Sequence, residues 1–116
     1  MKLGNIEVEF SFSNTINLKK LQNAYQKVLK KENKSKEKEM SFIEEMDTQC
    51  NIAREFFNEV FGEKIDKKIF GEENDYEKIM DTLEDVIKEY EKQQSRLNEK
   101  FAKYSPSRIK KKGTKW

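Results

Sequence analysis

The chain has 116 residues, 34% of them hydrophobic and 40% charged, with a net charge of +2. That length suits one small domain with a modest core, and that balance suits a thin helical fold with much solvated surface. The single cysteine, Cys50, excludes an internal disulfide, the lack of histidine removes the usual proton shuttle near neutral pH, and no apolar run reaches membrane-spanning length.

The charge is unevenly placed. Arg108, Lys110, Lys111, Lys112 and Lys115 crowd the last segment with no acid among them, so the rest of the chain is mildly acidic. Lysine outnumbers arginine throughout, so its abundance alone is no argument for nucleic-acid binding. The first residues lack the apolar block of a signal peptide, and a reducing cytoplasm is the expected compartment.

Near the start, Ile6, Val8, Phe10 and Phe12 alternate with Glu7, Glu9, Ser11 and Ser13. That period of two predicts a half-buried strand, and Gly4-Asn5 before it is a turn that lets Met1 to Leu3 pair back as a hairpin. A strand needs a neighbour from its own chain or from another protomer. Phe10 and Phe12 are therefore candidate partner-binding residues.

Asn14, Thr15 or Asn17 caps a first helix whose apolar face holds Leu18, Leu21, Tyr25, Val28 and Leu29. From Lys30 to Lys38 no apolar residue occurs; the segment reads as a solvated helix extension or a flexible linker, with the linker favoured. Ser41 and Glu44 form a capping box that opens a second helix. It carries Phe42, Ile43, Met46, Cys50, Ala53, Phe56, Phe57, Val60 and Phe61, most of them on one broad stripe, and Gly62 stops it. A short helix follows, with Ile65, Ile69 and Phe70 inward and Gly71 as its stop. Both glycines are expected in the left-handed region, where they lack Cβ strain.

Asn74 or Asp75 caps a long last helix. It carries Tyr76, Ile79, Met80, Leu83, Val86, Ile87 and Tyr90, then a polar stretch from Glu91 to Arg96, then Leu97, Phe101 and Tyr104. Ser105-Pro106 ends it, because the residue before proline avoids the α region. The expected fold is mainly α, with about four helices, one of them long and C-terminal, and a short N-terminal β-strand or hairpin. Residues 1–104 form one domain in this reading, and residues 105–116 a basic tail that is disordered alone.

No catalytic, cofactor-binding or metal-binding set emerges. Cys50 has no base beside it and sits on an apolar helix face, where a small buried hydrophobe is the simpler reading. The carboxylate pairs Glu44/Glu45, Glu72/Glu73 and Glu84/Asp85 are sequence neighbours, which diverge on a helix and suit a solvated face. The segment Glu72-Glu73-Asn74-Asp75 lacks the alternation of a calcium loop, and the four glycines are too scattered to cradle phosphate. Phe56, Phe57, Phe61 and Phe70 read as core before they read as a ligand box.

The tail carries the remaining functional content. Tyr104, Pro106, Ile109 and Trp116 would anchor a partner protein, and Arg108, Lys110, Lys111 and Lys112 would steer it. The bland reading is a solubilising end. Nucleic acid, gripped by the cations and stacked on Trp116, ranks below protein docking.

The order of Gly4-Asn5-Ile6-Glu7-Val8-Glu9-Phe10, Phe56-Phe57-Asn58-Glu59-Val60-Phe61-Gly62, Lys67-Lys68-Ile69-Phe70-Gly71 and Tyr104-Ser105-Pro106-Ser107-Arg108 resembles a family of small phage and prophage proteins. That family is encoded in the tail-morphogenesis region and is regarded as tail-assembly-chaperone-like. Ser107, where asparagine is the family's residue, and the acidic pair Glu72-Glu73 depart from its pattern. The resemblance implies a non-enzymatic protein of the host bacterial cytoplasm that keeps the tail-tube or tape-measure protein soluble before assembly. The alternative is a small phage-encoded inhibitor of a bacterial defence system, of the anti-CRISPR type, that binds a host nuclease complex. In that case the long helix or the loop Glu72 to Asp75 would plug a cationic nucleic-acid channel. Either way the expected partner is another protein, with no membrane involved. A homo-oligomer is also expected, formed through the strand or the long helix.

Overall fold

A computed structural model describes residues 1–104. The element order is β1 (Lys2–Leu3), β2 (Ile6–Glu7), α1 (Thr15–Ser35), α2 (Phe42–Phe61), α3 (Ile65–Phe70) and α4 (Tyr76–Tyr104). The fold is mainly helical, with four helices, a long C-terminal one and a short N-terminal antiparallel hairpin. The described residues fall into two compact units, Met1–Val86 and the remainder of α4 from Ile87. Among them no helix is long and apolar enough to cross a membrane.

The hairpin is shorter than the alternation predicts. Leu3 pairs with Ile6 and Lys2 with Glu7 around the Gly4-Asn5 turn, Met1 and Val8 exchange two further hydrogen bonds at 2.8 and 2.9 Å, and the ladder stops there. Beyond it the chain leaves the sheet. Phe12 is buried, and Phe10 packs edge-on against both Phe12 and Phe61 at 5.0 and 5.1 Å between ring centroids. Burial of these rings in an aromatic cluster replaces the longer ladder, so the period of two marks alternate inward side chains without marking strand pairing.

The first helix opens at Asn14, whose Oδ1 accepts from the backbone N–H groups of Ile16 and Asn17. It does not stop at Lys30. The helix continues to Ser35, so most of the segment favoured as a linker is ordered. Lysine and glutamate are good helix formers, and a cross-helix ion pair ties this stretch to α2, with a second one turn before it. Lys27 donates to Glu59 at 2.7 Å, and Lys31 pairs with Glu55.

The second helix begins with the expected capping box. Glu44 N–H donates to Ser41 Oγ, and Ser41 N–H donates to Glu44 Oε1. Its second half supplies the core: Phe57 is fully buried, with Cys50, Ala53, Phe56 and Val60 close to it in burial. Phe57 makes edge contacts with Phe56 and Phe70 and stacks on Phe61. Leu3, Ile79 and Val86 complete the most deeply buried set.

Gly62 and Gly71 end α2 and α3 as predicted, but not in the left-handed helical well. Gly62 has φ 128° and ψ 152°, and Gly71 has φ 73° and ψ −157°. This region of positive φ with extended ψ is open to glycine almost alone, so each glycine turns the chain sharply between packed helices.

Candidate protein-binding surface

The sharpest polar feature of the first unit is Arg54, which sits on the apolar stripe of α2 yet is buried. Nη1 donates to Asp66 Oδ2 at 3.1 Å and to the Gly71 carbonyl at 3.0 Å; Nε donates to Asn74 Oδ1 and Nη2 to the Glu73 carbonyl, each at 2.7 Å. The guanidinium carbon also lies 5.7 Å from the centroid of the Phe70 ring. A buried arginine must have its donors satisfied, and here the loop between α3 and α4 supplies the acceptors. Asn74, a candidate helix cap in the sequence, serves Arg54 instead and also donates to Asp47 and Asn51. Asp75 takes the capping position of α4, its Oδ1 accepting from Lys78 N–H.

This cluster holds the fold together and shows no reacting group. Among the described residues no set of acidic or cysteine side chains is arranged to hold a metal ion. Burial pushes the Cys50 thiol up from its ordinary pKa, and the Asp47 carboxylate adds to that, so the thiolate needed for nucleophilic chemistry is disfavoured. An open cleft of about 630 Å³ lies between the end of α1 and α2, lined by Lys31, Lys34, Lys38, Thr48, Asn51 and Glu55. Lysine and glutamate heads rim it, with their aliphatic stems and Ile52 forming much of the wall, and it is wide open to solvent.

Exposed apolar side chains are the more informative feature. In the first turn of α2, Phe42 is 75% exposed and Ile43 72%. Met40 and Met46 flank them, both half-buried, and Thr48 Oγ1 donates to Met40 Sδ at 3.6 Å. The sequence reading counted Phe42 and Ile43 among the apolar residues of this helix, most of which it placed on one stripe. Adjacent residues on a helix point about 100° apart, so two neighbours cannot both lie at the centre of one face. Spacing alone does not decide exposure here, since the adjacent Phe56 and Phe57 on the same helix are both buried.

The residues singled out in the sequence as partner-binding separate. Phe12 lies in the core and Phe10 is half-buried against it, so neither forms an open strand edge. Tyr104 is 61% exposed at the end of α4, with the Lys103 ammonium 5.5 Å from its ring centroid. Pro106, Arg108, Ile109, Lys110, Lys111, Lys112 and Trp116 lie outside the described residues. Sequence reading did not single out the exposed pair Phe42 and Ile43, or Phe101, which is 70% exposed.

Residues 4–115 match a family described as "Family of unknown function (DUF6673)", and the chain belongs to that family. No curated protein and no solved structure matches it.

Proposed function

We propose that this protein is a non-enzymatic, cytoplasmic binding factor of the tail-assembly-chaperone kind, which holds a phage tail-tube or tape-measure protein soluble until assembly. The observation that carries the reading is the apolar patch at the first turn of α2, where Phe42 and Ile43 stand exposed between Met40 and Met46. Large exposed apolar side chains mark sites for a partner protein, and methionine adapts its shape to differing apolar surfaces. That combination suits a client whose own apolar segment is not yet buried. The resemblance of the glycine-terminated helices and the Tyr104-Ser105-Pro106 tail to phage tail-region proteins supplies the client class. The cations from Arg108 to Lys112 then speed the encounter with an acidic client.

The test is co-expression with tail-tube and tape-measure proteins, followed by capture of the full chain. Recovery of either subunit, lost in the Phe42→Glu/Ile43→Glu variant, supports the reading. Failure to recover either with the unaltered chain overturns it.

One observation favours the second reading, an inhibitor that binds a host defence nuclease. Arg54 holds the backbone of the loop at Gly71 and Glu73, while Glu72, Glu73 and Asp75 remain exposed. A fixed acidic loop is suited to a cationic channel, because its order is already in place before binding. Capture of a nuclease complex, abolished by Glu72→Lys/Glu73→Lys and unaffected by changes at Phe42, would favour this reading over the first.

A further inference from the structure

Charge divides this chain after Glu91. Residues 92–116 hold nine of its 24 cations and one of its 22 acids, Glu99, which leaves residues 1–91 with fifteen cations against twenty-one acids. A lysine-rich composition by itself would spread the cations evenly. The sequence reading placed the basic segment after Tyr104, but it begins inside α4, well before the end of that helix.

On α4 these cations share a face. Lys92, Arg96, Lys100 and Lys103 follow at steps of four, four and three, so they fall within a sector about 80° wide, with neighbours about 6 Å apart. All four are exposed. Glu89 and Glu91 precede the run, and Glu99 stands at the edge of the sector. Among the described residues none of the four is paired with a carboxylate: Arg96 Nε donates to Gln93 Oε1 at 2.8 Å, and the Lys103 ammonium lies over the Tyr104 ring. A face that serves solubility alone intersperses both signs and pairs them along the helix. Arg96, Lys100 and Lys103 also ring, with Glu99 and Tyr104, a shallow hollow of about 270 Å³. Tyr104 borders the cation sector, Phe101 lies next beyond it, and both rings are exposed.

We propose that residues 92–104 of α4, with the basic sequence that follows them, bind single-stranded nucleic acid. A row of unneutralised like charges fits a polyanion whose every repeat carries the same sign. A protein partner is the poorer match, because protein–protein interfaces are depleted in lysine. The aromatic rings decide the state of the strand. Tyr104 and Phe101 offer ring faces beside the cations, and five more cations and Trp116 follow in the sequence. Unpaired bases stack on such rings whatever their identity, whereas a duplex keeps its base faces covered and would use the cations alone. The acidic excess of residues 1–91 repels phosphate and confines the strand to the basic segment. This inference goes beyond the client-binding reading and uses none of the residues of the α2 patch.

Fluorescence anisotropy of a labelled oligo-dT of about 20 nucleotides, titrated with the full chain, tests this. Binding should weaken with salt, the logarithm of the association constant falling by about 0.7 per logarithm of salt for each phosphate neutralised. Arg96→Gln/Lys100→Gln should flatten that slope by about 1.4 and lower the affinity about tenfold in low salt. Lys34→Gln/Lys36→Gln, the same loss of charge among residues 1–91, should change neither. Tyr104→Ala should lower the affinity about fivefold or more at an unchanged slope, as loss of a stacked base does. Each altered side chain is exposed, so helix content by circular dichroism should stay constant. No binding by about 100 µM protein in low salt overturns the proposal. So does an equal effect of the two double substitutions, which would mean attraction without a site. Equal affinity for polyglutamate would assign the face to an acidic protein, and equal affinity for a duplex of the same length would remove the stacking; either overturns it.

Discussion

The two ends of α2 contain the same kinds of residue and meet opposite fates. At its C-terminal end Phe56 and Phe57 are buried among Phe61 and Phe70, whereas at its N-terminal end Phe42 and Ile43 lie open to solvent. Helix periodicity is continuous across both. The difference goes with the neighbours at each level: α1 packs on α2 and pairs with Glu55 and Glu59, α3 follows Gly62, and Phe70 and Phe10 close on Phe57 and Phe61. An apolar stripe shows which face would be buried; burial also needs a neighbouring element at that level of the helix.

Five substitutions sharpen the contrast. The largest effect is expected at Phe57: Phe57→Ala should cost about 3–5 kcal/mol through lost burial and a residual cavity, while Phe42→Ala should stay within about 0.5 kcal/mol. Urea denaturation of both variants measures this. Equal losses at the two positions would mean that the first turn of α2 is covered in solution.

Arg54→Ala is expected to cost a similar amount, about 3–5 kcal/mol, because it leaves Asp66 buried without its cation. It also strands the carbonyls of Gly71 and Glu73, so hydrogen exchange should rise first in residues 71–75. Retention of wild-type stability and of slow exchange in that loop would show that Arg54 is dispensable to it.

A smaller loss than either core change is expected at the cap of the exposed end. Ser41→Ala removes the cap of α2 and should cost about 1 kcal/mol. The hydrogen bond from the Ser41 backbone N–H, followed by that from its side chain, holds the Glu44 carboxyl below the usual carboxylate range. A lowered folded pKa means that the unfolded chain takes up the proton more readily. The Glu44 contribution is thus present above the ordinary carboxylate pKa and disappears as the pH falls through the lowered folded value. Comparing the pH dependence of unfolding for wild type and Glu44→Gln below neutrality measures it. A wild-type profile no steeper than that of the variant on the acid side would argue against the box.

Much of the fold could be read before the coordinates, wherever the signal is local. The Ser41–Glu44 box, the Asn14 and Asp75 caps and the stops at Gly62 and Gly71 depend on residues within one turn of each other. The Lys30–Lys38 stretch was misread because it has no apolar face of its own; its helix persists to Ser35, with Lys31 paired to Glu55 on another element. The candidate surfaces were less accessible. Phe10 and Phe12 looked like an open strand and proved to be packed rings, and Phe42 and Ile43 looked like core and proved to be exposed. The cation face of α4 was present in the spacing but merged with the basic tail after it. A row of cations on a helix becomes a candidate surface only when exposure shows it open and unpaired.

Local chemistry alone accounts for the helical class, the order of the elements, and their caps and stops. Such features follow from backbone hydrogen bonding and side-chain shape within a few residues. Tertiary packing settled the rest: the short hairpin, the burial of Arg54 beneath the loop at residues 71–75, and the two apolar sites left open on α2 and α4. Those depend on which elements meet and at what height. The hydrophobic effect has no direction of its own, and apolar residues of equal character become core or surface according to the neighbour that arrives.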